Sequence, residues 1–435
     1  MNENEFDTYV VNIATLQKKG TDGDAQFAVF SRYAKVNFVP DVFGDLVFND
    51  VASNVTRESL LNGIQFDMSY IVDDRHTLRT GFSVTEEQTN VNNLSTVLPV
   101  DPVTGAISPT PFDIDDLNSK LGWNLGAYIQ DEWKLTNELT LNAGLRFDQL
   151  YQFVDANQLS PRLALVYKPF PGTTFHAGYA RYFTPPYQAQ AVSSNIALFA
   201  NTTNAPEVQL ASPVLPERSN YYDVGVDQIV LPGLLVGLDA YYKDAVDMID
   251  DGQFGQAVVL TQFNYARGYS EGGEVKLKYY NGDFRAYANL AFNITRAIDV
   301  ISNQYLFDQA TYEYLLNNWH YTDDMQMWTA SAGMSYRWNG TLFSTSLIYG
   351  SGLRAGDLSD GVAPNSLSNP PYAVVNFGVS RDVKWSPEFK PVTLRFDIVN
   401  LFDNPYVLRD GSGIGVFAPQ YGARRGFYAG ISQKL

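Results

Sequence analysis

The chain has 435 residues and carries 47 acidic against 30 basic side chains, a formal net charge of −17. That balance excludes a nucleic-acid binder, which needs basic patches, and tilts any lumen or mouth toward cations. Mean hydropathy is −0.18 although 45% of residues are hydrophobic and 14% aromatic, and without any run of about 20 apolar residues spanning helices are excluded.

Cysteine is absent, which fits an oxidising compartment but decides little. The opening Met1-Asn2-Glu3-Asn4-Glu5 is acidic where a secretory signal would be basic and then apolar. It is the start expected of a mature or trimmed product, or of an incomplete chain.

Taken in chain order, alternating segments fall near 5–17, 25–38, 61–72, 76–89, 120–135, 138–153, 159–168, 173–184 and 218–231. They continue near 234–250, 263–280, 283–300, 323–338, 341–355, 371–385, 392–408 and 424–435. That gives roughly 16–18 strands, best counted as about seventeen, with boundaries uncertain by about two to four residues. Tight turns join them at one end: Asp73-Asp74-Arg75, Leu135-Thr136-Asn137-Glu138, Leu231-Pro232-Gly233, Asn281-Gly282-Asp283 and Asn339-Gly340. Long polar stretches join them at the other, as over 89–119, 185–217 and 356–370. No fixed motif repeats, so a propeller or solenoid is not expected.

The alternation is regular. Trp123, Leu125, Ala127 and Ile129 oppose Asn124, Tyr128 and Gln130, and Leu139, Leu141, Ala143, Leu145 and Phe147 oppose Thr140, Asn142, Gly144, Arg146 and Asp148. Phe284, Ala286, Ala288, Leu290 and Phe292 oppose Arg285, Tyr287, Asn289 and Asn293. Val392, Leu394, Phe396 and Ile398 oppose Thr393, Arg395 and Asp397. In a soluble sandwich such a pattern would mean one face on a core and one in water. Segments of about ten residues or more exceed the usual soluble strand and suit a tilted crossing of a bilayer. Charges sit at mid-strand on one face alone, and aromatics such as Tyr70, Tyr151, Tyr241, Tyr279 and Trp385 gather near segment ends. The expected fold is therefore all-β, an antiparallel transmembrane β-barrel of outer-membrane type with short periplasmic turns and long external loops.

Bacterial single-chain barrels have an even strand count with both ends in the periplasm. Here the alternation puts the start of the first strand outside, so at least one N-terminal strand is expected to be missing.

Specific strings then appear. Ser160-Pro161-Arg162-Leu163 precedes His176-Ala177-Gly178-Tyr179-Ala180-Arg181-Tyr182-Phe183, and Asn264-Tyr265-Ala266-Arg267 precedes Gly350-Ser351-Gly352-Leu353-Arg354. The chain closes with Asn400-Leu401-Phe402-Asp403-Asn404-Pro405-Tyr406 and Gly422-Ala423-Arg424-Arg425-Gly426-Phe427-Tyr428. In these strings and their order the chain resembles the barrel of TonB-dependent outer-membrane receptors. The resemblance covers most of the chain and is strongest over its last two-thirds. It implies a 22-stranded barrel filled by an N-terminal plug, which imports siderophores, haem, cobalamin or glycans with force delivered by TonB. The chain departs from that pattern: no plug precedes the barrel, about five strands are lacking, and Leu435 stands where an aromatic usually ends the chain. The expected organisation is one N-terminally incomplete barrel over 1–435, with TonB as partner only if a plug is supplied elsewhere.

Candidate sites divide by location. Loop aromatics could pack on sugars, catecholates or porphyrins: Phe183, Tyr187, Tyr312, Tyr314, Trp319, Tyr321 and Phe417 are the ligand-binding candidates, with Phe199, Tyr305 and Phe307 beside them. Packing of loop against loop is the plainer role for the same residues. Arg146, Asp148, Arg181, Asp239, Arg285, Arg337, Arg395 and Asp397 are expected to form a charged lumen wall. No cofactor or metal is expected. Acidic clusters at Asp113-Ile114-Asp115-Asp116, Asp323-Asp324 and 357–360 could at most hold Ca²⁺, and solvated loop charge is the simpler reading. His76, His176 and His320 lack metal-site spacing. Gly411-Ser412-Gly413-Ile414-Gly415 lacks the helix and Lys of a phosphate loop.

The function expected is uptake of a scarce small-molecule nutrient through the bacterial outer membrane. The partners expected are outer-membrane lipid and lipopolysaccharide, and no nucleic acid. An enzyme is not expected, since no Ser/His/Asp set can be named. The alternative is a plugless passive diffusion pore or a non-energised receptor fragment.

Overall fold

Asn339 and Gly340 take φ of 47° and 78°, the left-handed pair that a two-residue hairpin turn demands. They close Trp338 onto Thr341, and with the other short turns they set a meander. A computed structural model describes residues 2–254, 260–384, 386, 390–415 and 419–433. Its long strands are β1 Asn4–Lys19, β2 Gly23–Val39, β3 Val51–Ile71, β4 His76–Val97, β5 Phe112–Lys134, β6 Leu139–Tyr151, β7 Asp155–Tyr167, β8 Thr173–Thr184 and β9 Glu217–Leu231. After them come β10 Leu234–Gln253, β11 Leu260–Asn281, β12 Phe284–Val300, β13 Trp328–Trp338, β14 Thr341–Gly350, β15 Tyr372–Val383, β16 Val392–Val399 and β17 Gly426–Gln433. Together with the two-residue piece His320–Tyr321 they make one 18-stranded antiparallel sheet. Each long strand pairs with the next in sequence, and among the described residues β1 pairs with β2 alone and β17 with β16 alone.

Register fixes the faces, because residues directly opposite in an antiparallel ladder point to the same side. One row runs Phe175, Val226, Leu238, Val275 and Leu290 across β8 to β12. The next runs Ala177, Val224, Ala240, Gly273, Phe292 and Trp328. Val224 and Leu238 are 58% and 49% exposed, a surface that needs lipid for solvent. The opposite face carries His176, Asp223, Asp227, Asp239 and Lys276. His176 Nε2 lies 3.1 Å from Asp239 and 3.5 Å from Asp223, and Lys276 Nζ lies 2.9 Å from Asp227. Gly225 makes that network possible: a Cβ there would meet both His176 and Asp239 at 2.3 Å. This wall lines a polar lumen.

The strand order agrees with the sequence reading, but several strands run further outward. The stretch 89–119, expected as a loop, holds the last turns of the β4–β5 hairpin, which extends to Val97 and resumes at Phe112. Beyond the bilayer no lipid acts on the outer face, so apolar residues are sparse and the period that marks a strand is lost there. The segments near 323–338, 341–355 and 392–408 are shorter than expected, because Trp328, Gly350 and Val399 bound them. Two short helices were not foreseen, α1 Val42–Phe48 and α2 Gln309–Asn317. Each is started by an aspartate cap: Asp41 accepts from Gly44 N–H and Asp308 from Thr311 N–H.

The closing motif is a clamp between β16 and β17. Asn400, with φ of 50°, donates through Nδ2 to the carbonyls of Asn404 and Ala423 at 2.9 and 3.0 Å. Asp403 accepts from Arg424 at 2.8 and 2.6 Å and from the Arg425 N–H at 3.0 Å. These bonds hold its carboxyl well below the usual carboxylate range.

Candidate functional site: the external loop cap

Apolar side chains at the outer ends of distant strands meet over the mouth. Val51 of β3, Val97 of β4 and Ile114 of β5 share one buried cluster with Phe263 and Tyr265 of β11 and Ala297 and Val300 of β12. β3 and β11 are separated along the wall by seven strands, so this contact crosses the opening. Loop side chains fill the space between. Phe263 meets Tyr265 and Phe307 edge-on at 4.9 and 5.1 Å, and Phe254 meets Phe199 and Tyr305 at 5.0 and 5.2 Å. This is the arrangement that aromatic quadrupoles favour.

Polar latches join the same elements. Arg57 of β3 donates to the Leu260 carbonyl. Gln188 donates to the carbonyls of Glu87 and Lys120 at 2.9 and 2.8 Å, pinning the loop after β8 to β4 and β5. Asn264 ties Leu215 and Asp247 through its Nδ2 at 2.9 and 2.7 Å.

His320 lies in this core, 3% exposed, with its ring 5.0 Å from Tyr265. Nδ1 reaches the Asn318 carbonyl at 3.2 Å, while Nε2 and the Tyr265 hydroxyl have no hydrogen-bond partner. Burial disfavours the imidazolium and pushes its pKa down to about 4. A depressed base binds its proton less well folded than unfolded. Stability is therefore whole above the unfolded value of about 6.5 and is lost as pH falls toward 4. Acidifying the protein across that window is expected to weaken the cap by on the order of 2–3 kcal/mol, read as a fall in loop amide protection factors, each taken against the unfolded-chain exchange rate at the same pH, and the fall should be smaller in His320→Phe. Protection factors that fall as much in His320→Phe as in the wild type would refute it.

The acidic clusters act mainly as loop fasteners. Asp323 is engaged by Arg409, Asp116 accepts from Asn195 N–H at 3.1 Å, and Asp324 accepts from the Thr322 hydroxyl at 2.8 Å. Among the described residues no three His, Cys, Asp or Glu side chains are grouped as a metal ion would need.

The lumen-wall candidates are placed as follows. Arg146 and Asp148 pair at 2.7 Å and Arg395 and Asp397 at 2.6 Å. Asp239 joins the His176 and Lys276 network. Arg285 faces inward across from Ser335, and Arg337 follows two residues later on the same side. Arg181 is a correction. It pairs in register with Asn220, two residues from Tyr179 and Tyr222 and four from Ala177 and Val224, so it stands on the outward, lipid-side face near the external end of β8. A long cationic side chain at that level can reach the headgroups, which is why a mid-lumen role does not follow from its charge.

The loop aromatics do not converge. Phe183 shares Arg181's outward face and takes the Arg218 guanidinium at 5.7 Å. Trp319 rests against Tyr269 at 5.3 Å, also on the outward side. Tyr321 is sandwiched by Arg296 and Arg354 at 4.4 and 4.1 Å. Tyr312 and Tyr314, on α2, pack against the buried cluster, and Tyr187 is 70% exposed. Phe417 lies outside the described residues. Phe199, Tyr305 and Phe307 are core of the cap.

What the loops do form is a cavity of about 450 Å³ between the start of α2, the 356–364 segment and Gly413-Ile414. Sequence reasoning missed it because its walls come from three separate loops, near 308, 357 and 414. The one local signal was Asp308, a helix-starting residue before Gln309. A second hollow, of about 660 Å³, runs along the lumen wall past Arg285, Arg395 and Asp397.

A lipid-facing wall, a polar lumen and a folded loop cap define an outer-membrane β-barrel protein. The family model described as "TonB dependent receptor-like, beta-barrel" matches residues 2–401, and the chain belongs to that family. It is a family of receptors and transporters of the outer membrane, not of enzymes.

No curated protein matches the sequence. Among solved structures, the chain resembles the copper transporter OprC at 15% identity and a TM-score of 0.65, over 97% of this chain and 64% of that one. It is similar to the ferric citrate transporter FecA in its unliganded form, at 15% identity and 0.65, over 97% and 61%. It is also similar to the siderophore receptor PiuA from Acinetobacter baumannii, at 14% and 0.65, over 98% and 64%. The chain thus spans 61–64% of the length of these solved proteins. At such identities the likeness establishes the fold.

Proposed function

We propose that the chain forms the wall and ligand-handling loops of a receptor that takes up a scarce small nutrient, with energy delivered through TonB. The observation that carries this reading is the loop cap: buried contacts from β3–β5 to β11–β12 cover the opening, where a diffusion pore needs a standing path. The names of the similar structures, transporters of copper and ferric citrate and a siderophore receptor, agree with cargo of that size.

Two measurements test it. The purified protein in planar bilayers should show no steady current, and ohmic conductance would favour the passive pore instead. Cells producing the protein should accumulate radiolabelled iron, copper or cobalt chelates only when TonB is intact. Accumulation that persists without TonB would overturn the energised part.

A further inference from the structure

We infer that the lumen wall across β5 to β10 carries a binding site for a neutral saccharide. The inference deepens the receptor reading by naming a class of cargo, and rests on it for what the binding serves. Three tyrosines descend the wall from the external side, each one register row below the last. Tyr182 of β8 stands opposite Ser219, Tyr221 of β9 opposite Ala180, and Tyr241 of β10 opposite Asp223. All three share the inward face of His176 and Asp239. Tyr182 meets Tyr221 edge-on at 6.2 Å, and Tyr221 stacks on Tyr241 at 5.9 Å with 17° between the planes. Tyr182 is 46% exposed and the other two are half-buried, so the steps present ring surface to the water of the lumen.

Beside these steps the wall is recessed. Ala164, Gly178 and Ala180 lie in two adjoining rows of β7 and β8, and their small side chains leave a hollow of about 210 Å³ that Tyr182 and Tyr221 border. Gly178 is required there, because a Cβ would meet the Asp223 carboxylate at 2.3 Å. Gln130, Asn142, Arg162 and Asp223 complete the rim. Among the described residues the Gln130, Asn142 and Arg162 side chains hydrogen-bond to no other protein group, and the one ion-pair partner of Asp223 is His176, at 3.5 Å. Their polar atoms face the lumen with water as their present company.

A pyranose ring has a flat face of C–H bonds that packs on a tyrosine, and hydroxyls around its edge that both donate and accept. The rim answers each of these. The Gln130 and Asn142 amides offer both roles, Arg162 donates and Asp223 accepts. A planar aromatic ligand would stack on the same rings but strip those four groups of water and leave them unpartnered, at a cost for each. A charged ligand gains little, because Arg162 and Asp223 bring one charge of each sign to the rim. The hollow is smaller than a drug-sized pocket and is on the scale of one sugar ring. Neighbouring rings of a short chain then lie on Tyr182 above and Tyr241 below.

The test uses the protein in a sugar-free detergent, lauryldimethylamine oxide, with maltotriose, cellotriose, xylotriose and, for contrast, catechol. Titration calorimetry should show at least one trisaccharide binding, with catechol at least about tenfold weaker. Tyr221→Ala should weaken that trisaccharide at least about tenfold, whereas Tyr221→Phe, which keeps the ring, should hold it within about threefold. Ala164→Trp, which fills the hollow, should abolish binding. Heat-shifted gel migration checks that each variant keeps its barrel. No trisaccharide binding, catechol binding as tight as the best trisaccharide, or trisaccharide binding untouched by Tyr221→Ala would each overturn the inference. Because binding is read without transport, saccharide binding together with steady bilayer current would leave the site standing and sink the receptor reading. TonB-dependent uptake of a metal chelate with no saccharide binding would do the reverse.

Discussion

Replacing Phe263 by alanine is expected to release the loop cap while the wall beneath stays folded. The ring is fully buried and touches Tyr265 and Phe307 edge-on. Truncating a buried phenylalanine costs about 3–5 kcal/mol. Each polar latch nearby contributes only about 1 kcal/mol net, so they cannot hold the loops once the aromatic centre is lost. The wall does not depend on that centre, since its strands are tied by continuous ladders and by lipid. Limited proteolysis should nick the variant within 301–327 or 185–216, while the heat-shifted gel migration typical of an intact barrel is kept. Loops as resistant as the wild type's would show that the cluster does not hold the cap.

Leu145→Arg should block or weaken membrane assembly, whereas Asn142→Arg on the same strand should be tolerated. Leu145 is 47% exposed on the row shared by Ile129 and Pro161, the lipid side. Arginine at mid-membrane on a barrel's outer face costs about 2–4 kcal/mol. Asn142 faces the lumen, across from Glu132, which already pairs with Arg79 at 2.8 Å, and there an added arginine keeps its hydration. The measurement is folded fraction after refolding into vesicles under a urea series. Equal behaviour of the two variants would mean that the faces have been assigned the wrong way round.

The wall was legible in the sequence because lipid and water act on alternate side chains, and that period survives without any tertiary information. Leu139 to Asp148 shows it over ten positions. The outer halves of the strands were not legible: between Thr89 and Val97 only Val91, Leu94 and Val97 are apolar and they fall on both faces, so no clear alternation marks the strand, which is held by its ladder to β5. Arg181 was misplaced because its charge was weighed above its parity. Phe175, Ala177 and Tyr179 precede it at even steps, and that spacing alone assigns the outward face. The candidate cavity was invisible because residues near 308, 357 and 414 become neighbours only through the fold. The loop aromatics failed as a group for the same reason: their sequence gives a ring and no direction.

The strands β3, β4, β5, β10 and β11 have 21, 22, 23, 20 and 22 residues, while about 9–11 suffice to cross the hydrocarbon. Some ten residues of each, tilted near 45°, carry their tips about 25 Å above the lipid. β13 to β17 have only 8–12 residues, so the rim is a parapet with a high side and a low one. A bulky visitor to the cell, such as an antibody or a phage tail, would strike the tall hairpins first.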